Sequence, residues 1–96
     1  AAALRLEIVA EATRNPGIAA MVRSADRRSL EGLTETIRSA RLVAGHADSG
    51  LDTEALAEVV AAMFEGLQIR AVRNPDLDAE RVTALYRRLL RDLLTA

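Results

Sequence analysis

The chain has 96 residues, a length that fits one domain, and its 13 basic and 14 acidic side chains leave a formal net charge of −1. Because nucleic-acid-binding surfaces usually carry clustered positive charge, this balance argues against a DNA-binding surface within the chain. The absence of cysteine excludes disulfide frameworks and thiolate chemistry, and no apolar run approaches the ~20 residues of a membrane span.

Composition favours helices along the whole chain. Half of the residues are hydrophobic, yet only Phe64 and Tyr86 are aromatic, so the core must be built from Ala, Leu, Val and Ile. Abundant Ala, Leu, Arg and Glu favour helix, and no alternating Val/Thr/Tyr run is bounded by turns. We therefore predict an all-α fold, with one domain over residues 1–96 and four helices.

The first two predicted helices are separated by an Asn-Pro-Gly sequence. The first helix covers roughly residues 3–14 and ends at Asn15-Pro16-Gly17, because proline biases the preceding residue away from helix. The second is long, from about residue 18 to residue 44, and Gly45 is its predicted stop.

The last two predicted helices are joined by a short connection. The third begins at a cap supplied by Asp52 or Thr53 and runs to about Arg73, where Asn74-Pro75 stops it. The fourth follows Asp78, a favourable cap, and runs to about residue 95. A short connection between two helices favours an antiparallel hairpin.

The third helix is more apolar than the surface of a small domain requires. Its polar residues fall in one narrow strip: Glu54, Glu58, Glu65 and Gln68. The fourth helix carries an apolar stripe about half its circumference wide. Such a hairpin can pair with a copy of itself around a two-fold axis, so we predict a homodimer with an intersubunit four-helix bundle. The predicted interface comprises Val60, Phe64, Leu67, Ala71, Val82, Leu85, Tyr86, Leu89 and Leu93. The alternative is that the first and second helices cover both faces of the third within one chain.

The sequence offers little for catalysis or metal binding. His46 is the single histidine and there is no cysteine, so a metal-ligand set is absent. Acidic pairs at helical spacing, such as Glu31 and Glu35, lie where their helices are polar and are interpreted as solvated faces. We expect no enzymatic activity, no cofactor and no metal site.

Three polar residues, Asp26, Ser29 and Thr36, interrupt the apolar side of the second helix. A few polar groups among apolar side chains are typical of a small-molecule pocket, although Ser and Thr often bond a carbonyl of their own helix instead. Nearby methionines can also line a cavity, since their side chains adapt to irregular shapes. The candidate ligand-binding residues are Met21, Asp26, Ser29, Leu33, Thr36 and Met63.

Three stretches in order resemble a known family: LEIVAEATRNPGIAAMVR, RSARLVAGHADSGLDTEALAEVV and AAMFEGLQIRAVRNPDLDAERV. Together they resemble the C-terminal regulatory domain of TetR-family transcriptional regulators, in the BetI-like subgroup, and they span nearly the whole chain. The resemblance implies an all-helical domain that binds a small inducer and holds a homodimer together. It also implies that the last two helices form the dimer bundle, and that ligand binding shifts two N-terminal helix-turn-helix modules on operator DNA.

The helix-turn-helix module of that family has no counterpart in residues 1–96, so operator binding is expected only through a segment upstream of Ala1. We therefore expect the effector-binding and homodimerisation domain of a bacterial, cytoplasmic transcriptional regulator, acting by population shift. The alternative is a ligand-free helical dimerisation or protein-interaction module. That module would show the same stripes but no thermal shift with small molecules.

Overall fold

The computed structural model describes residues 2–46 and 50–95, which form four α-helices. These are α1 (Ala2–Ala12), α2 (Pro16–Val43), α3 (Thr53–Arg73) and α4 (Ala79–Leu94). The predicted all-α fold is confirmed. Residues 47–49 of the predicted linker lie outside the described residues. Within the described ranges, no helix is both long enough and apolar enough to cross a bilayer.

The Asn-Pro-Gly sequence starts α2 as well as separating it from α1. The Asn15 side chain accepts hydrogen bonds from the backbone N–H groups of Gly17 and Ile18, at 3.0 and 3.3 Å, and Pro16 is the first helical residue. Proline suits this position because the first turn of a helix leaves its N–H groups unpaired. The helix therefore begins two residues earlier than the sequence predicts.

Gly45 ends α2, as predicted. Its φ of +79° is a conformation that favours glycine. The Gly45 N–H donates to the Leu42 carbonyl at 3.1 Å, and the His46 N–H donates to the Arg41 carbonyl at 2.8 Å. This pair of bonds is a Schellman motif, which satisfies two carbonyls at the end of the helix.

Side-chain caps also define the α3–α4 hairpin. Asp52 caps α3 through the Ala55 N–H, and Asp78 caps α4 through the Arg81 N–H, each at 3.1 Å. In the connection, the Asn74 side chain accepts from the Asp76 N–H at 3.2 Å. The predicted capping residues therefore do fix where both helices begin.

The core lies where three helices meet and is small. Its buried apolar residues are Ile37 of α2 and Leu56, Ala57 and Val60 of α3. Leucines of α2 and α4 pack against this cluster, namely Leu30, Leu33, Leu90, Leu93 and Leu94. The apolar side chains of α1 stay largely open, and Leu4 and Val9 are more than half exposed.

The molecule is a thin layer of helices. It measures 44 × 35 × 15 Å, and its radius of gyration is 15.6 Å, whereas a compact chain of this length has a radius of about 12.5 Å. Its accessible surface of 7221 Å² is about a third more than the ~5,400 Å² expected for a compact monomer of 10.4 kDa. The excess surface is of the size that a partner covers in a stable complex.

Candidate functional site

The face of α3 that points into the core is covered only in the first half of the helix. Leu56, Ala57 and Val60 are at most 8% exposed. Helical geometry carries the same face on to Phe64, Leu67 and Ala71. There Phe64 is 47% exposed, Ala71 is exposed and Leu67 is half-buried. This face of α3 thus lies inside the chain's own core in its first half, whereas Phe64 and Ala71 leave it exposed in the second half.

Helix α4 leaves most of its apolar stripe open. Among its described residues none is buried, and Leu85 and Leu89 are 59% and 42% exposed. Between α3 and α4 runs a groove of about 480 Å³, which we call the hairpin groove. Its walls are mainly apolar, and Arg70 and Arg73 also line it. The apolar residues on its walls include Met63, Leu67, Val82, Leu85, Tyr86 and Leu89.

Tyr86 joins α4 to the junction between the two halves of α3. Its hydroxyl donates a hydrogen bond to the Val60 carbonyl at 3.1 Å. Desolvation by burial raises the pKa of the Tyr86 phenol above its ordinary value of 10.0. The phenol therefore stays protonated, and able to donate this bond, throughout the neutral range.

The predicted dimer interface falls into three groups. Phe64, Ala71, Leu85 and Leu89 are exposed on the hairpin, while Leu67, Val82 and Tyr86 are half-buried walls of the hairpin groove. Val60 instead belongs to the core, and Leu93 packs against that core, so both side chains serve the chain's own packing. Val60, at 8% exposed, therefore offers almost no surface to a partner, while Leu93 is half-buried.

The six candidate ligand-binding residues are spread out. Met63 lines the hairpin groove, and Leu33 packs against the core. Met21 is 67% exposed on α2, and Asp26 and Ser29 are also exposed there. The Thr36 hydroxyl donates to the Gly32 carbonyl of its own helix at 2.9 Å, the alternative use that serine and threonine often have. A closed pocket formed by these six residues stays a prediction.

A second, polar groove of about 680 Å³ lies between α2 and the start of α3. Carboxylates and guanidinium groups both line it, including Glu31, Glu35, Glu58, Arg27 and Arg38. Glu35 and Arg38 form an exposed ion pair at 3.1 Å. No group of three or more His, Cys, Asp or Glu residues in the described part of the chain is arranged to hold a metal ion. This groove therefore has the character of a solvated surface.

Sequence reasoning missed Arg41, the buried charged residue of the structure. Arg41 lies in the last turn of α2 and is 3% exposed. One guanidinium nitrogen donates to the Leu93 and Leu94 carbonyls, each at 3.3 Å, and another donates to the His46 carbonyl at 3.1 Å. A signal was present in the sequence, because Arg41 follows Ile37 and Leu33 at four-residue spacing and so lies on the apolar side of α2.

Comparisons with curated proteins and with solved structures give no match. A family model does match, over residues 1–95, and it describes the C-terminal part of a BetI-type transcriptional repressor. This match agrees with the resemblance seen in the sequence and covers the hairpin groove, the core and Arg41 alike. The chain therefore belongs to the family of BetI-type C-terminal domains of TetR-like transcriptional regulators.

Proposed function

We propose that this chain is the homodimerisation and effector-binding part of a bacterial transcriptional regulator, and that the α3–α4 hairpin forms the dimer interface. The observation that carries the proposal is the open apolar surface of the hairpin, in a chain that matches the regulator family over residues 1–95. Exposed leucines and a phenylalanine around an apolar groove are typical of an interface core.

A second copy of the chain is the occupant that best fits the hairpin surface. Its apolar face is continuous with the core, as the step from Val60 to Phe64 and Leu67 on α3 illustrates. The excess accessible surface, about a third above that of a compact monomer, matches what a stable dimer buries on each subunit. Two hairpins packed face to face around a two-fold axis make a four-helix bundle.

Sedimentation equilibrium of the chain from ~0.1 to ~100 μM tests the dimer. We expect a monomer–dimer equilibrium with a dissociation constant of about 1 μM or tighter, as hydrophobic interfaces of standard size give. A stable monomer throughout this range would exclude the proposed homodimer.

The effector is proposed to bind beside α2, where Met21, Asp26, Ser29 and Thr36 place polar groups next to apolar ones. A ligand that binds the folded state raises the melting temperature, so a thermal-shift screen of small apolar molecules on the intact regulator identifies candidates. Operator affinity is then measured with and without each hit. An effector that binds without changing operator affinity contradicts the regulatory mechanism, because coupling requires different affinities for the two states. A screen in which no compound shifts the melting temperature favours the ligand-free dimerisation module.

A further inference from the structure

We propose that Arg41 is a positioning residue that locks the C-terminal turn of α4 onto the end of α2, and thereby couples α2 to the dimer interface. The coupling rests on the proposed function, because it requires α4 to lie in that interface. The lock itself rests only on contacts within one chain.

The geometry of the Arg41 side chain carries the first step. Leu93 and Leu94 belong to the last turn of α4, and the final carbonyls of any helix have no partner within the helix. Arg41 supplies donors to both of these carbonyls. A positive charge at a helix C-terminus is also favoured by the helix dipole. One side chain from α2 therefore caps the end of α4.

A third bond extends the lock to the α2–α3 connection. The Arg41 guanidinium donates to the His46 carbonyl, while the Arg41 backbone carbonyl accepts from the His46 N–H. The Schellman turn at Gly45 holds His46 in this place. The planar guanidinium carries donors on separate nitrogen atoms and can therefore bond these separate carbonyls at once. A lysine has a single ammonium nitrogen and cannot reach all of them together.

The other contacts that hold α4 against the chain are few, so the Arg41 hydrogen bonds matter for its position. Helix α4 has no buried residue among those described, and its apolar stripe is held by half-buried leucines and by the Tyr86 bond to Val60. The first half of α4 faces the hairpin groove, whereas its last turn is tied to α2. A displacement of the last turn of α2 thus moves the carbonyl partners of Arg41, and with them the end of α4.

Hydrogen–deuterium exchange of the full chain, read by mass spectrometry, tests the lock. In Arg41→Met, which keeps an unbranched apolar stem but removes the guanidinium donors, we expect exchange over residues 90–95 to be about ten-fold faster. Exchange over residues 55–62 should rise clearly less than exchange over residues 90–95, because Leu30, Leu33 and Ile37 of α2 still cover this segment when the end of α4 is released. Arg41→Lys should restore part of the protection. Arg38→Met is the matched control, since Arg38 lies on the same helix and its ion pair with Glu35 is exposed at the surface.

Unchanged exchange over residues 90–95 in Arg41→Met overturns the proposal, as does an equal increase in both segments. If Arg41→Met does not fold, the same two segments are compared in Arg41→Lys. Equal increases of exchange over residues 90–95 and 55–62 in Arg41→Lys overturn the lock. The coupling is read from the dimer dissociation constant, which we expect to rise about ten-fold in Arg41→Met and to stay constant in Arg38→Met. A constant value in Arg41→Met overturns the coupling. If the unaltered chain proves monomeric, the homodimer proposal fails, and the exchange data still decide on the lock.

Discussion

The two halves of α3 share one apolar face but differ in what surrounds it. In the first half, Leu56, Ala57 and Val60 are buried by α2 and by the end of α4. In the second half, the same helix face continues through Phe64 and Ala71, and these side chains are exposed. The comparison teaches that an apolar helix face can serve two purposes along its length. One half of it stabilises the chain, and the other half is left for a partner.

This division answers the question that the apolar third helix raises. Helix α1 contacts α3 but adds no residue to the buried core, and in the second half of α3 Leu67 is half-buried while Phe64 and Ala71 stay exposed. Intrachain packing therefore accounts for part of the apolar surface only. The rest is the surface that we assign to the second copy.

Truncation of a side chain in the buried first half of α3 should have the largest effect on stability. Leu56→Ala removes a side chain that is 6% exposed and leaves a cavity in a core of four buried residues. We expect the free energy of unfolding to fall by about 3 kcal/mol, at every protein concentration, in urea denaturation. Leu4→Ala on α1, where the leucine is 57% exposed, is the control and should cost less than about 0.5 kcal/mol. Similar losses of unfolding free energy in Leu56→Ala and Leu4→Ala would contradict the distinction between buried and exposed faces.

A charge on the open surface should separate the subunits and leave the fold intact. Leu85 is 59% exposed on α4, so Leu85→Glu is tolerated in the monomer but places a charged carboxylate in the apolar part of the proposed interface. We expect dimerisation to weaken by about 2–3 kcal/mol, roughly a hundred-fold in the dissociation constant, in sedimentation equilibrium.

Leu42→Glu is the matched control for that experiment. Leu42 is 66% exposed but lies on α2, outside the hairpin. Its substitution should leave the dissociation constant unchanged, with both variants keeping the helical circular dichroism of the parent. Equal dissociation by the two variants would move the interface away from the hairpin.

Loss of the hydrogen bond between Tyr86 and Val60 should have a smaller effect on the free energy of unfolding, and this effect should depend on pH. Tyr86→Phe removes the hydroxyl that bonds to the Val60 carbonyl and should cost about 1 kcal/mol of unfolding free energy at pH 7. Because burial raises the pKa of Tyr86 in the folded state, the stabilisation is complete below pH 10.0. It is lost as the pH rises from 10.0 through the folded-state pKa, where the phenol loses the proton that it donates.

Tyr86 is the one tyrosine of the chain, so tyrosinate absorbance near 295 nm reports its titration directly. We expect a midpoint above 10.0 in the folded protein and a normal midpoint in urea. A normal midpoint in the folded protein would place the phenol in water and remove the link to Val60. Tyr86→Phe should also lack the alkaline loss of stability that the parent shows.

The helices and the family were both predictable before the fold was known, because both depend on local signals in the chain. Asn15, Gly45, Asp52 and Asp78 each act on backbone groups within three or four residues, so their roles follow from spacing alone. The start of α2 at Pro16 is two residues earlier than predicted because a proline that ends one helix can also begin the next. Helix α1 ends at Ala12, two residues before its predicted end, since residues 13 and 14 form a turn. The excess of apolar surface on α3 and α4 was equally visible, since it needs only helical periodicity.

The division of that surface between core and open face depends on long-range packing. Val60 and Phe64 lie on one face of one helix, and nothing local distinguishes them. The end of α4 and the second half of α2 pack over Val60, whereas Phe64 stays exposed. The same applies to Arg41, whose carbonyl partners Leu93 and Leu94 are more than 50 residues away in the chain. A buried arginine is stable only where such partners meet it, and long-range packing alone brings them there.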